Sequence, residues 1–447
     1  MMGTVSNSLE ALRTSPPVAD DARPQPSGFS FPPCSGRVLP GTDLRRPNSK
    51  CYRGLRAPLG NGPAGMTDTA SMAEHDLRAD GDATQRLAAL RQQVRELTAS
   101  WLAAGRYTPR SDCWLRSYDL EFSRELAARG LIGITWPVEF GGGGLDARSR
   151  LVVTEELLRA GAPVAAHWIA DRQIGPAILR HGTPELQKEL LPGIIRADYI
   201  FCLGMSEPEA GSDLAAVRTT AKKVDGGWSV TGRKIWTSVA HRATHAYLLA
   251  RTDSSGKKHE GLSEFVVDMS ATGIDVSPIV DMSGEHHFNE VTFTDVFVPQ
   301  HRLLGTEGNG WRQVIEQLSF ERGGPERVLS TYPLLAEVIS HLRDSSDDQH
   351  DVELGALVAR LATLRRQCWE IANAMDAGGA PVVEAASLKY LGTEFENDVI
   401  EFARRVGLPN SRTDPLAEAL LASPGFTLRG GASDVLLSIV TKSEIRP

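Results

Sequence analysis

The sequence predicts an α+β fold with helices at both ends of the chain and an antiparallel sheet between them. Residues 80–198 carry Leu and Val at the spacing of one helix face. Residues 200–300 change to short alternating apolar runs bounded by Gly, Asp or Ser, a pattern typical of antiparallel strands. The helical period returns from about residue 310 and continues to the end of the chain.

These changes of period divide the chain into four predicted parts. Residues 1–75 form an extension, 76–199 an N-terminal helical domain, 200–309 a central β-domain, and 310–447 a C-terminal helical bundle. No GxGxxG motif stands between a strand and a helix, so a nicotinamide-type Rossmann domain is not expected.

The extension is rich in Pro, Gly, Ser and Arg and lacks hydrophobic periodicity, so we expect it to be disordered. Arg45-Arg46 is followed by no apolar stretch, which argues against a twin-arginine signal. Met66 and Met72 stand just before the first predicted helix, and the alternative interpretation is a misassigned start codon.

Composition excludes several classes of function. The net charge of −8 and the lack of basic clusters argue against nucleic-acid binding. No apolar window is long enough for a membrane span. The five cysteines are widely spaced and predict neither a metal site nor a disulfide framework, so a cytoplasmic location is the simplest expectation.

The most informative segment is residues 199–238, YIFCLGMSEPEAGSDLAAVRTTAKKVDGGWSVTGRKIWTS. An apolar run feeds a turn in which Pro208 and Gly211 restrict the backbone path. Backbone N–H groups and the hydroxyls of Ser206 and Ser212 can then converge on a polar ligand edge or a phosphate. Two strands follow, joined at Asp225-Gly226-Gly227. An ordinary turn and hairpin with a buried Trp explains the same residues.

The order of SEPEAGSD (206–213) and GRKIWTS (232–238) resembles the flavin-contacting core of the acyl-CoA dehydrogenase family. Further segments similar to that family occur in its order: GITWPVEFGGGG (133–144), HGTPELQKELLPGI (181–194), FNEVTFTDVFVPQHRLLG (288–305), EGNGW (307–311) and GGASDVLL (430–437). The resemblance spans roughly residues 80–447 and implies an FAD-dependent enzyme. Such an enzyme converts an acyl-CoA thioester to the 2-enoyl-CoA and passes electrons to an electron-transfer flavoprotein.

The reaction needs a carboxylate base for the proton next to the thioester carbonyl. Many members of the family carry a Glu directly before the Gly-Thr/Ala near the C-terminus, but Gly430 occupies that position here. Members that resemble isovaleryl-CoA dehydrogenase place the Glu on an earlier helix, before an Arg. The matching residues are Glu321 and Arg322, so Glu321 is the predicted base and Arg322 a predicted substrate contact. The alternative is that Glu321 and Arg322 form a solvated ion pair on the helix, with Glu326 and Arg327 nearby.

The resemblance also implies the contacts of FAD. The residues expected at the flavin are Leu203, Met205, Ser206, Trp236 and Ser238, and Ser212 is expected to meet the flavin tail or the pantetheine arm of the substrate. Ser206 and Ser238 stand where most members have Thr, so the hydroxyl is kept with less restriction of its rotamer.

Two departures leave alternatives open. The Arg-x-x-Phe-Gly segment and the Gly-Gly-Asn-Gly loop, which usually bind the adenine half of FAD, are not recognisable between 343 and 381 or elsewhere. The chain could therefore be a homotetramer that binds FAD with other residues, or one subunit of a mixed oligomer, including a non-catalytic one. A flavin-dependent oxygenase on the same fold is a further alternative.

His286 and His287 precede a predicted strand. Adjacent side chains on a strand point to opposite faces, so we expect both to be structural rather than to share a site.

Overall fold

The computed structural model describes residues 69–343, 349–408 and 415–445. The predicted extension lies outside the described residues up to residue 68. The first helix begins at Thr69, before the predicted domain boundary, within a run of good helix formers that includes Met72 and Glu74.

The N-terminal segment is helical, as predicted. Its helices are α1 (Thr69–Ala103), α2 (Cys113–Arg116), α3 (Leu120–Ala128), α4 (Ala147–Arg159), α5 (Ala165–Ile169), α6 (Gly175–His181) and α7 (Pro184–Ile195). A π-helical turn, Ala170–Ile174, joins α5 to α6. Side chains of Asp119, Asp146 and Thr183 accept backbone N–H groups at the starts of α3, α4 and α7 and so fix where these helices begin.

The central segment is one eight-stranded sheet. Its strands are β1 (Phe201–Gly204), β2 (Thr220–Val224), β3 (Gly227–Lys234), β4 (His245–Arg251), β5 (Leu262–Asp268), β6 (Ile274–Val280), β7 (His286–Pro299) and β8 (Leu303–Leu304). The order is β6-β7-β3-β2-β4-β5-β8, and β1 pairs with β4. Most pairs are antiparallel, as predicted, but β1 and β2 each pair with β4 in parallel.

The predicted hairpin between β2 and β3 is confirmed. Val224 pairs with Gly227, so Asp225 and Gly226 form a two-residue turn. Gly226 has a φ of +74°, a conformation that favours glycine in such turns.

A β-bulge interrupts β7 at His287. Ile279 pairs with Phe288, whereas the next residue of β6, Val280, pairs with His286. His287 is therefore an extra residue on β7, and the strict alternation of side chains is lost there. The expectation that His286 and His287 do not share a site is wrong, because both line the same surface cleft.

The C-terminal segment returns to helices: α8 (Gly310–Arg322), α9 (Tyr332–Arg343), α10 (Asp351–Asp376), α11 (Val382–Val406), α12 (Pro415–Phe426) and α13 (Ser433–Ile445). The two helical segments share one buried core, in which Trp114 and Leu157 lie with Leu335 and Phe395. This shared core fixes the C-terminal helices against the N-terminal ones.

None of the described helices is long and apolar enough to cross a lipid bilayer. Within the same residues, no three His, Cys, Asp or Glu side chains lie close enough to hold a metal ion. Cys113, Cys202 and Cys368 are free and buried.

Candidate active site

Glu321 lies in the last turn of α8 and is held by Arg327. The Arg327 Nη2 donates to Glu321 Oε1, and Arg327 Nε donates to the Glu321 carbonyl oxygen at 3.3 Å. The Glu321 side chain is 13% exposed and that of Arg327 only 1%, so this pair is buried rather than solvated. The second carboxylate oxygen, Oε2, has no hydrogen-bond partner among the described residues. It remains available to a ligand.

Gly430 faces the same guanidinium from the C-terminal segment. A Cβ atom on Gly430 would lie 3.0 Å from Arg327 Cζ, and its φ of +70° disfavours any larger residue. Arg322 Nε donates to the Gly430 carbonyl oxygen at 2.7 Å, which ties the end of α8 to this turn. The two alternative positions for a base, 321 and 430, therefore converge on Arg327.

A second, half-buried cation supports this region. Arg429 pairs with Asp112, donates to Ser330 Oγ at 2.8 Å, and stacks on Phe426 with its guanidinium carbon 4.2 Å from the ring centroid. It connects the chain before α2 with the turn that contains Gly430.

Lys389 of α11 lies below this cluster, and its Nζ donates to the Phe426 carbonyl oxygen at 2.6 Å. Burial, followed by the nearby charges of Arg327 and Arg429, lowers the pKa of Lys389 to about 7. Arg327, Arg429 and Lys389 therefore gather around the turn that follows α12.

The loop after β1 is fixed by a buried ion pair. Lys234, fully buried on β3, donates to the Met205 carbonyl oxygen at 3.0 Å and to Glu207 Oε1 at 2.9 Å. The Glu207 carboxylate also accepts the backbone N–H groups of Arg218 at 2.6 Å and Thr219 at 2.9 Å. One carboxylate therefore joins the start of the connection between β1 and β2 to its end.

Burial alone would raise the pKa of Glu207, but Lys234 and the donors of Thr219 and Arg218 outweigh it, and the pKa is lowered. Burial lowers the pKa of Lys234 to about 8, against the opposing effect of Glu207.

Trp236 presents an open aromatic surface next to this loop. It is 55% exposed and has a φ of +58°, and its ring makes an edge contact with Phe288. A backbone hydrogen bond from Ile235 N to Ser206 O, 2.9 Å long, joins the two segments. Backbone strain and exposure of a large aromatic residue are features of ligand sites. Trp236 is therefore not the buried Trp of an ordinary hairpin.

The remaining predicted flavin contacts differ in their exposure. Leu203, Met205, Ser206 and Ser238 are half-buried, and Ser212 is exposed on the loop. Met205 packs in one hydrophobic cluster with Val314 and Leu318 of α8. This cluster connects the loop to the helix that ends at Glu321. An exposed ring with hydroxyls at its edges fits a flat heteroaromatic group such as a flavin.

Sequence reasoning missed two residues that position this site. Lys234 belongs to the GRKIWTS motif, and a cation inside an alternating strand is a signal that could have marked it. The sequence places Arg327 only near a solvated Glu321–Arg322 pair. No local pattern shows that a 3₁₀ turn, Pro325–Arg327, folds Arg327 back onto Glu321.

Family models match almost the whole described chain. The N-terminal, middle and C-terminal domains of acyl-CoA dehydrogenase match residues 84–198, 202–296 and 308–445. The chain belongs to the acyl-CoA dehydrogenase family, whose members are oxidoreductases.

Curated relatives agree with this assignment. The chain is 40% identical over 348 residues to acyl-CoA dehydrogenase IpdE1 of Mycolicibacterium smegmatis, which covers 72% of this chain and 86% of the relative. It is 34% identical to acyl-CoA dehydrogenase FadE34 of Mycobacterium tuberculosis over 71% of this chain, but that match spans only 45% of the relative.

Solved structures of the family share the fold. The Tcur3481-Tcur3483 steroid ACAD is 27% identical with a TM-score of 0.71, over 80% of this chain and 97% of the other. The ChsE4-ChsE5 complex from Mycobacterium tuberculosis is 29% identical with a TM-score of 0.69, over the same shares.

Proposed function

We propose that this chain catalyses the FAD-dependent α,β-dehydrogenation of an acyl-CoA thioester to the 2-enoyl-CoA, with Glu321 as the base. The observation that carries the proposal is the convergence of Glu321 and Gly430 on Arg327. A base at 321 reaches the same guanidinium that a side chain at 430 would meet, so the loss of Glu at 430 leaves the site with a carboxylate.

Each residue then has a role. Glu321 Oε2 takes the proton from the carbon next to the thioester carbonyl, while Arg327 holds Oε1 and fixes the direction of the carboxylate. Arg322 keeps the end of α8 against Gly430, and its remaining N–H groups face the substrate. Burial of this region excludes water from the carboxylate.

Leu203, Met205, Ser206, Ser212, Trp236 and Ser238 are the residues that would hold FAD. Trp236 would pack on the ring and Ser238 would bond its edge, while the loop that Lys234 fixes would offer Ser206 and Ser212. FAD, when bound, supplies the acceptor for the hydride that leaves the neighbouring carbon. Electrons then pass to an electron-transfer flavoprotein, and we place the enzyme in the cytoplasm.

The second candidate is a subunit of a mixed oligomer whose FAD site is completed by a related chain. The names of two similar structures, Tcur3481-Tcur3483 and ChsE4-ChsE5, each pair two chains. This supports a mixed oligomer over a homotetramer and suggests a bulky acyl group, such as the steroid acyl group that the first of those names implies.

The first test is the visible absorption spectrum of the purified chain, alone and after addition of FAD. About one FAD per chain, bleached anaerobically by an acyl-CoA from a panel of branched and steroid-derived thioesters, supports the proposal. Failure to bind FAD alone, together with binding after addition of a related subunit, supports the mixed oligomer. Hydrogen peroxide or an oxygenated product in air favours the oxygenase.

The role of Glu321 is tested with Glu321→Gln. We expect flavin binding to survive and the rate of bleaching to fall by about 10²–10⁴-fold, the usual contribution of a general base. Glu337→Gln, an exposed glutamate on α9, is the matched control. An unchanged rate in Glu321→Gln would remove Glu321 as the base.

A further inference from the structure

An open cleft is lined by Val239, the residue directly after the Trp236–Ser238 segment. It has a volume of about 240 Å³ and lies between the chain around α2, the turn after β3 and the start of β7. Its walls carry an unusual number of basic side chains: Arg110, Arg116, Arg242, His241, His286 and His287. Neither the proposed base nor the proposed flavin contacts line it.

Asn289 fixes two of the histidines. His241 and His286 stack with their ring centroids 4.1 Å apart. His241 Nδ1 and His286 Nε2 both donate to Asn289 Oδ1, at 3.2 and 2.8 Å. These bonds leave His241 Nε2 and His286 Nδ1 for a ligand.

The same asparagine holds the backbone of the Trp236–Ser238 segment. Asn289 Nδ2 donates to the Thr237 carbonyl oxygen at 2.9 Å, and Thr237 N donates to the Asn289 carbonyl oxygen at 3.0 Å. Asn289 is fully buried. The histidine pair is therefore rigidly placed and does not depend on a mobile loop.

Arg110 uses all three guanidinium nitrogens on Glu418, Glu285 and the Arg116 carbonyl oxygen, whereas Arg116 leaves a donor unused. Arg116 bonds Glu285 and Ser283 through Nε and Nη2, but its buried Nη1 has no hydrogen-bond partner among the described residues. Arg242 stacks on Tyr118, with 4.4 Å from its guanidinium carbon to the ring centroid. His287 Nδ1 is buried and makes no hydrogen bond, and it lies 3.6 Å from Asp281 Oδ2. Buried donors in this state are stabilised by an acceptor that the ligand supplies.

We propose that this cleft binds a phosphate group, either the free ion or the end of a small organic phosphate. Donors approach from α2, from the turn after β3 and from β7, and a phosphate offers three terminal oxygens to such a convergent set. A carboxylate has two oxygens and satisfies fewer of these donors. The apolar wall formed by Leu115 and Tyr118 leaves room for a few carbon atoms.

Binding is expected to take up protons. The charged groups around the histidines are Arg110, Arg116, Arg242, Asp112, Asp281 and Glu285, and Glu418 also pairs with Arg110. Carboxylates therefore balance the arginines while the histidines are uncharged, and protonated histidines would supply the positive charge for an anion.

Burial lowers the pKa of His241, and His286 and Arg242 lower it further. Burial also lowers the pKa of His287, although Asp281 opposes this. A bound anion raises the pKa values of both histidines, so the affinity for the anion increases as the pH falls and the histidines become protonated.

The test is isothermal titration of the purified chain with inorganic phosphate at pH 6 and pH 8. We expect tighter binding at pH 6, and about tenfold weaker binding in Arg242→Gln and in His241→Gln. Arg404→Gln, an exposed arginine of α11 paired with Glu401, is the matched control and is expected to bind normally. Circular dichroism of each variant checks that it is folded.

Glycerol 3-phosphate and succinate separate the possible ligands. Tighter binding of glycerol 3-phosphate than of phosphate identifies a larger organic ligand, and equal binding identifies the free ion. Succinate that binds as well as phosphate, no phosphate binding at pH 6, or equal losses in Arg404→Gln would each overturn the proposal. The inference does not depend on the proposed reaction, since no substrate or FAD is needed.

Discussion

Replacing Lys234 with methionine tests how the loop after β1 is held. Methionine keeps most of the side-chain length but removes the charge and the bonds to Met205 O and Glu207 Oε1. Because the Lys234 side chain is fully buried and that of Glu207 is 6% exposed, water cannot replace the lost partner.

The size of the effect follows from what Glu207 retains. Removing one member of a buried ion pair costs about 3–5 kcal/mol. Glu207 still accepts the N–H groups of Arg218 and Thr219, so we expect the lower end, about 3 kcal/mol at pH 7. In the variant, burial raises the pKa of Glu207 without opposition from Lys234. The carboxyl can then be protonated, so the difference from the native protein shrinks as the pH is lowered toward 4.

Lys223→Met provides a matched control on the neighbouring strand. Lys223 pairs with Glu307 at 2.6 Å, but its side chain is 68% exposed, so the loss is expected to stay below about 0.5 kcal/mol. Urea denaturation followed by tryptophan fluorescence compares the two variants. Hydrogen exchange of the Arg218 and Thr219 amides reports the loop itself. Equal stability of Lys234→Met and Lys223→Met would refute the reasoning.

Two further predictions concern buried groups near α8 and α11. Burial raises the pKa of Glu264 to about 8, so its stabilising contribution is present below pH 4.5 and is lost as the pH rises to 8. Glu264→Gln should remove roughly 4 kcal/mol of this pH dependence, measured as denaturation midpoints from pH 5 to 9, and an unchanged profile would contradict it. Gly392→Ala places a Cβ 2.0 Å from the Arg327 carbonyl oxygen and should destabilise the chain by about 1–3 kcal/mol. Gly355→Ala, whose added Cβ would meet open space, should leave the stability unchanged. Equal melting temperatures of the two variants would argue against this prediction.

Much of the fold could be predicted because its signals are local. The change of period near residue 200 and again near 310 marks the sheet, and Asp225-Gly226 determines a two-residue hairpin. The parallel pairing of β1 with β4 was not predictable in the same way, because it joins Phe201 to His245 across a long connection.

The candidate site shows the same limit. Motif order identified Glu321 and Trp236, but their partners come from other segments. Whether Glu321 pairs with the adjacent Arg322 or with Arg327 depends on the 3₁₀ turn at Pro325–Arg327, which no side-chain pattern predicts. The bulge at His287 likewise interrupts the alternation of side chains along β7. A single extra residue does not change the hydrophobic period enough to be predicted from the sequence.

With Glu321 as the proposed base, the meeting of positions 321 and 430 at Arg327 would restrict how a base could move between them during evolution. A side chain at 430 and a carboxylate at 321 compete for one guanidinium and for the space beside it. A lineage that gained a carboxylate at one position before losing the one at the other would place two like charges together. A lineage that lost the original carboxylate before gaining the new one would have no base. The relocation therefore requires a sequence that is either crowded or inactive. A gene duplicate, or a subunit sheltered by an active partner, can carry such a sequence without loss to the organism.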